Sequence, residues 1–207
     1  MLDRSRDRLG QAGGGGHTAP AGLKEIAEAR IAEAIMSCEL APGARVTESG
    51  ICKALDLGKA PVRAALAAVA ARGLASPRPR HGYRVAPVTA RDAADLFDLR
   101  LRLEPGLWHG ELPPDALRDL RRLDAILAAA RGGEDGAARR LAWQADADIL
   151  DTLTEATGNL RLGACLREAQ ALCRRVVVHL GLRTGRPVPP ATREAEIDAQ
   201  ERGDPAG

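Results

Sequence analysis

The sequence predicts a mainly α protein, in which a small N-terminal helical unit closed by a β-hairpin precedes an all-helical bundle. Three observations lead there. Aromatic residues make up 2% of the 207 residues while 45% are hydrophobic. The core must then be built from Leu, Ala, Val and Ile, which suits packed helices. Apolar residues recur at helical spacing in one segment after another. The stretch that breaks this period, between Leu74 and Pro87, holds two short extended runs around a loop of Pro, Arg, His and Gly.

Taken in order, residues 1–21 read as a flexible tail, because Arg4, Arg6 and Arg8 precede the run Gly13 to Gly16 and little there can bury apolar surface. A helix is predicted from about Leu23 to Cys38, on the spacing of Leu23, Ile26, Ala27, Ile31, Ala34 and Ile35. Ala41-Pro42-Gly43 ends it, and Arg45-Val46 is short and extended. Thr47 is placed to cap a second helix, Glu48 to Leu55, with Glu48 favoured by the helix dipole. After the turn Asp56-Leu57-Gly58, a third helix starts near Lys59 with Pro61 in its first turn and runs to about Arg72. Gly73 stops it. Leu74 to Ser76 and Tyr83 to Pro87 are the two strands of a hairpin. Helix, helix, turn, helix and hairpin is the order of a winged helix-turn-helix, assigned here to residues 22–88.

Residues 89–207 read as helical throughout. Thr89 caps a helix through about Gly110, and Pro113-Pro114 breaks the chain before a helix to about Arg131. Gly132-Gly133, Gly158-Asn159 and the prolines 187, 189 and 190 separate three more, from about Gly136 to Thr157, Leu160 to Leu182 and Thr192 to Arg202.

The charge pattern points to a polyanion. Net charge is only +2, but no acidic residue lies between Leu57 and Ala90, and that stretch holds Lys59, Arg63, Arg72, Arg78, Arg80 and Arg84. These fall on the third helix and the wing, the two elements a winged helix lays on DNA. Lys59 and Arg63 share a helix face opposite Val62, Leu66 and Val69. A basic surface with no ligand is the alternative reading of such a run.

Other classes find little support. The four cysteines, Cys38, Cys52, Cys165 and Cys173, form no C-x-x-C pair and read as small hydrophobic residues. Neither a nucleophile–His spacing nor a phosphate-cradling Gly motif is present, which argues against an enzyme. No signal peptide opens the chain and no apolar run approaches a membrane span, so a cytoplasmic location is expected.

The motifs A41-P-G-A-R-V-T-E and L55-D-L-G-K-A-P-V-R-A-A-L66, the helix end Arg72-Gly73-Leu74 and the wing tip His81-Gly82 resemble the GntR family of bacterial regulators. D95-L-F-D-L-R100, Glu104, Asp146 and L153-T-E-A156-T-G158-N159 resemble its FadR-type, FCD subgroup. The resemblance covers about Leu23 to Gly203. It implies that Lys59 and Arg63 enter or border the major groove, that His81 and Gly82 approach the minor groove, and that Arg45 lies near phosphates; Arg80, next to them in the basic loop, is a further candidate DNA contact. It further implies a homodimer on double-stranded operator DNA, and control, usually repression, by a small molecule such as a carboxylate. Gly58 and Lys59 stand where the family usually has a hydroxyl cap and an arginine, and Ala64 replaces a common Glu, so weaker base readout is expected.

In the bundle, Arg100 falls in a row with Leu96, Leu103 and Leu107, and the family places an effector carboxylate on an arginine here. An Arg100–Glu104 pair one turn apart is the other reading. Asp146 shares a face with Ile149, Leu150 and Leu153 and is the second candidate effector contact. Many FCD members bind a divalent metal with an Asp at this place and three histidines. Here the first of those histidines is Leu150, the second falls near Arg193, and the last would lie beyond Gly207. No cofactor and no family-type metal site is therefore expected, and the bundle is expected to be shortened. A regulator whose sensor acts without effector or metal is the alternative.

Overall fold

The computed structural model describes residues 22–130, 136–186 and 188–204. The expected tail, residues 1–21, lies outside them.

The N-terminal unit begins with α1 (Leu23–Met36), followed by β1 (Arg45–Val46), α2 (Glu48–Leu55), α3 (Lys59–Ala71), β2 (Ala75–Arg78) and β3 (Gly82–Val85). The short extended pair at Arg45-Val46 joins the hairpin, giving a three-stranded antiparallel sheet in the order β1-β3-β2. Thr47 caps α2, its hydroxyl accepting from the Gly50 N–H at 3.1 Å. Ala27, Ile31 and Ile35 of α1 meet Val62, Leu66 and Val69 of α3 and Val85 of the sheet in one apolar core.

The bundle is built from α4 (Ala90–Leu103), a 3-10 turn (Glu104–Leu107), α5 (Pro114–Ala130), α6 (Gly136–Thr157), α7 (Leu160–Thr184) and α8 (Glu194–Glu201). The helix predicted to reach Gly110 ends at Leu103 instead. Pro105 has no N–H to return to the Leu101 carbonyl and its ring crowds that carbonyl, so the chain tightens into the 3-10 turn. Leu107, Leu120, Leu127, Ile149, Leu153, Leu166 and Ile197 form the bundle's core. Helices α6 and α7 approach closely at Gly163, where a Cβ would stand 2.2 Å from Thr154 Cγ2.

Helix α7 ties the two cores together. Leu172 packs on the N-terminal core. The buried Arg175 donates through Nε to the Ile35 carbonyl at the end of α1, at 3.2 Å, and through Nη2 to the Ala86 carbonyl after β3. One guanidinium thus joins a helix-end carbonyl, which also accepts from the Cys38 N–H at 3.2 Å, to a wing-end carbonyl.

Candidate nucleic-acid interface

The sheet places two arginines face to face. Arg45 on β1 is the direct cross-strand partner of Arg84 on β3. Like charges in that relationship destabilise a sheet, so their pairing needs a reason outside the fold. Together with Gly43, Arg78 and His81 they line a cleft of about 380 Å³ that has no acidic residue in its wall. Arg84 is oriented by donating through Nε to the Gly43 carbonyl at 3.2 Å. The wing turn is closed by the His81 N–H on the Arg78 carbonyl at 2.9 Å, with Arg80 at the tip in the left-handed region at φ 62°. Gly82 has φ +78°, and a Cβ there would stand 2.4 Å from the Val46 carbonyl oxygen, so only glycine lets β1 and β3 meet at this point.

Of the expected DNA contacts, Arg45 and His81 fall in this cleft, beside Arg78 and Arg84. The latter two belonged to the acid-free stretch but carried no motif of their own. Arg80 does not line it. Lys59 and Arg63 stand exposed on the first two turns of α3, which begins at Gly58 with no side-chain cap. Its first N–H groups therefore remain open to an oxyanion. Arg63 is engaged already. Its Nε lies 3.1 and 3.2 Å from the two Glu48 carboxylate oxygens, and Nη2 lies 3.0 Å from one of them. These bonds hold the Glu48 carboxyl below its ordinary range, and nearby Lys59 acts in the same direction. No local pattern announces this pair, because Glu48 and Arg63 lie on different helices.

The bundle core holds the other two candidates. Arg100 binds Glu104 Oε2 through Nε and Nη2 at 3.1 and 2.8 Å. Arg193, from the turn before α8, binds Glu104 Oε1 at 2.9 Å and Asp146 Oδ1 at 3.4 Å through Nη2. Gln170 donates to Asp146 Oδ2 at 2.8 Å. Asp146 is 3% exposed, and its burial pushes its carboxyl above the ordinary range while Arg193 and Arg100 pull it down. Two guanidinium groups and two carboxylates thus balance in charge, and the space left beside them is about 10 Å³, room for one water at most.

A divalent metal does not fit this set. Asp146 contributes one carboxylate, Leu150 has no donor atom, and the Arg193 cation lies against the oxygen a metal would need. Among the described residues no group of three His, Cys, Asp or Glu side chains converges as a metal site would require.

The model of the GntR family of bacterial regulatory proteins matches residues 23–85, and that of the FCD domain matches residues 95–207, more than half of the chain. The chain belongs to the GntR family. This GntR-family regulator is 29% identical over 63 residues to an uncharacterized HTH-type transcriptional regulator, YdhC, of Bacillus subtilis strain 168; the match spans 30% of this chain and 28% of that protein. Its fold is similar to that of E. coli McbR/YncC, with a TM-score of 0.66 and 19% identity over 89% of each chain. A putative transcriptional regulator GntR from Rhodococcus sp. RHA1 is similar with a TM-score of 0.60 and 20% identity, over 87% of this chain and 95% of that one. At such identities these structures speak for the shared fold alone, a winged helix joined to a helical bundle. Among the described residues no helix is long and apolar enough to cross a membrane.

Proposed function

We propose that this GntR-family regulator is a repressor that binds double-stranded operator DNA as a homodimer, with residues 22–88 as its DNA-binding domain and residues 89–207 as its dimerisation and sensor domain. The start of α3, with Lys59 and Arg63, faces the major groove. The wing, with Arg45, Arg80, His81 and Gly82 joined by Arg78 and Arg84, covers the flanking backbone and minor groove. The observation that carries this reading is the like-charged Arg45–Arg84 pair in a cleft without acids. A fold tolerates that repulsion where phosphates neutralise it. No catalytic role and no cofactor enter the reading, and its place of action is the cytoplasm.

Control by a small organic anion completes it. Within the bundle core, a carboxylate reaching Arg100 has to displace Glu104, and one approaching Asp146 has to move Arg193. A second reading, favoured by the charge balance of those four side chains, is that the core acts as a fixed structural element with neither effector nor metal. Fluorescence anisotropy on the DNA upstream of its own gene, over a salt series with random competitor DNA, tests the DNA-binding claim. Competitor-resistant binding with a steep salt slope is expected, and binding abolished by random DNA would overturn it.

A further inference from the structure

The bundle core is full, yet a cleft of about 450 Å³ lies elsewhere, between α1, the first turns of α6 and the last turns of α7. That volume is in the range of small-molecule sites. Trp143, Val177, Val178 and Leu182 supply an apolar wall, and Arg140 and Arg174 supply charge. The Arg174 guanidinium carbon stands 5.9 Å from the centre of the Trp143 ring. Its Nε is buried and has no hydrogen-bond partner among the described residues, which is costly for a charged donor.

The one ion pair described for Arg174 is with Glu33 of α1, at a loose 3.6 Å. It crosses from the bundle to the winged-helix unit. The next residue along α7 is Arg175, which holds the end of α1 and the end of the wing. A group that displaced Glu33 from Arg174 would therefore act one residue from the contact that fixes the winged helix.

We propose that this cleft is the effector site, and that its ligand is a flat, amphipathic organic anion. The acidic head binds the Arg174 guanidinium at the Nη2 that faces Glu33 and competes with that carboxylate, with Arg140 at the rim. The apolar body lies along Trp143, Val177 and Val178. This rests on the reading that the chain is an effector-controlled DNA-binding regulator, and it moves the sensor from the bundle core to the junction of the two units.

The probe is 8-anilino-1-naphthalenesulfonate, an aromatic sulfonate of this shape, titrated into the full chain without DNA. Trp143 emission is followed in a Trp108→Phe background. Saturable quenching with one probe per chain is expected. Arg174→Met and Arg140→Gln should each weaken it about tenfold and about threefold respectively. Arg118→Gln, an exposed arginine on α5, should leave it unchanged. Circular dichroism melts check that each variant is folded, and Arg140→Gln, on an exposed side chain, keeps the test open if Arg174→Met unfolds. No saturable quenching, or quenching indifferent to both variants, would overturn the proposal. So would a Val178→Glu chain that turns monomeric while the parent fails to bind the probe, which would give the cleft to a second copy. Operator binding measured without probe is a separate readout, so failure of the site and failure of the DNA-binding reading are distinguishable.

Discussion

Glu48 and Arg63 form a forked ion pair, with three N–H···O contacts of 3.0 to 3.2 Å between α2 and α3. The pair is exposed, so it adds little to stability. Its value is in orientation, since it fixes a guanidinium that would otherwise sample many rotamers beside the start of α3. Replacing Arg63 by Ala should weaken operator binding by about tenfold to a hundredfold, as expected for a lost base contact. Replacing Glu48 by Ala should do the opposite on random DNA, raising affinity about threefold to tenfold, because a carboxylate no longer faces phosphate. The ratio of specific to non-specific binding should then fall. Anisotropy on both duplexes measures this, and a ratio unchanged in Glu48→Ala would show that the pair has no part in readout.

The Arg45–Arg84 pair makes stability and binding move in opposite directions. Arg45→Thr removes a like-charge neighbour and supplies a β-branched residue, so the winged helix should gain about 0.2–1 kcal/mol. The same change should lower DNA affinity and reduce the slope of log affinity against log salt by about 0.9, the share of one phosphate contact. Thermal melts and a salt series decide it. A chain that becomes less stable and keeps its slope would remove Arg45 from the interface.

Gly82 serves the wing through its backbone. Gly82→Ala puts a Cβ against the Val46 carbonyl, at a positive φ that alanine disfavours. The expected cost is on the order of 1–3 kcal/mol. DNA affinity should fall with it, because β1 carries Arg45. A variant of unchanged melting temperature would mean that β1 yields without cost.

Much of this was legible in the sequence, for physical reasons that differ by element. Thr47, Pro61 and Gly73 each act on their own backbone neighbours, so α2 and α3 were placed to within a residue. The Arg100–Glu104 pair is also local, one helical turn, and both residues were visible as a possible couple. Pro105, which ends α4, is a local signal of the same kind. What could not be read were contacts between distant segments. Arg63 meets Glu48 from another helix, and Arg84 meets Arg45 across a sheet whose third strand is two residues long. In the sequence Arg193 is only an arginine near the place of a family histidine; the packing makes it the cation of the core. Arg174-Arg175 has the pattern of a solvated basic pair, and only the packing of α7 on α1 turns it inward.

The Arg193–Asp146 contact makes a prediction with a definite sign in pH. Arg193→Met leaves Glu104 and the buried Asp146 without their shared cation. Removing one partner from a buried ionic cluster typically costs about 3–5 kcal/mol, and denaturant melts should show a loss of that order. Asp146 itself titrates upward, since burial outweighs its arginines. An acid that is weaker in the native state binds its proton more tightly when folded. Its favourable contribution is therefore complete below the ordinary aspartate value of about 3.9, declines as pH rises through the raised native value, and stays low above it. Asp146→Asn abolishes this titration. The stability of the parent relative to that variant should therefore decrease with rising pH across the window and be flat beyond it. A relative stability that instead increases with pH would show that Arg193 and Arg100 outweigh burial, and that the core is held together by charge attraction more than it is strained by desolvation.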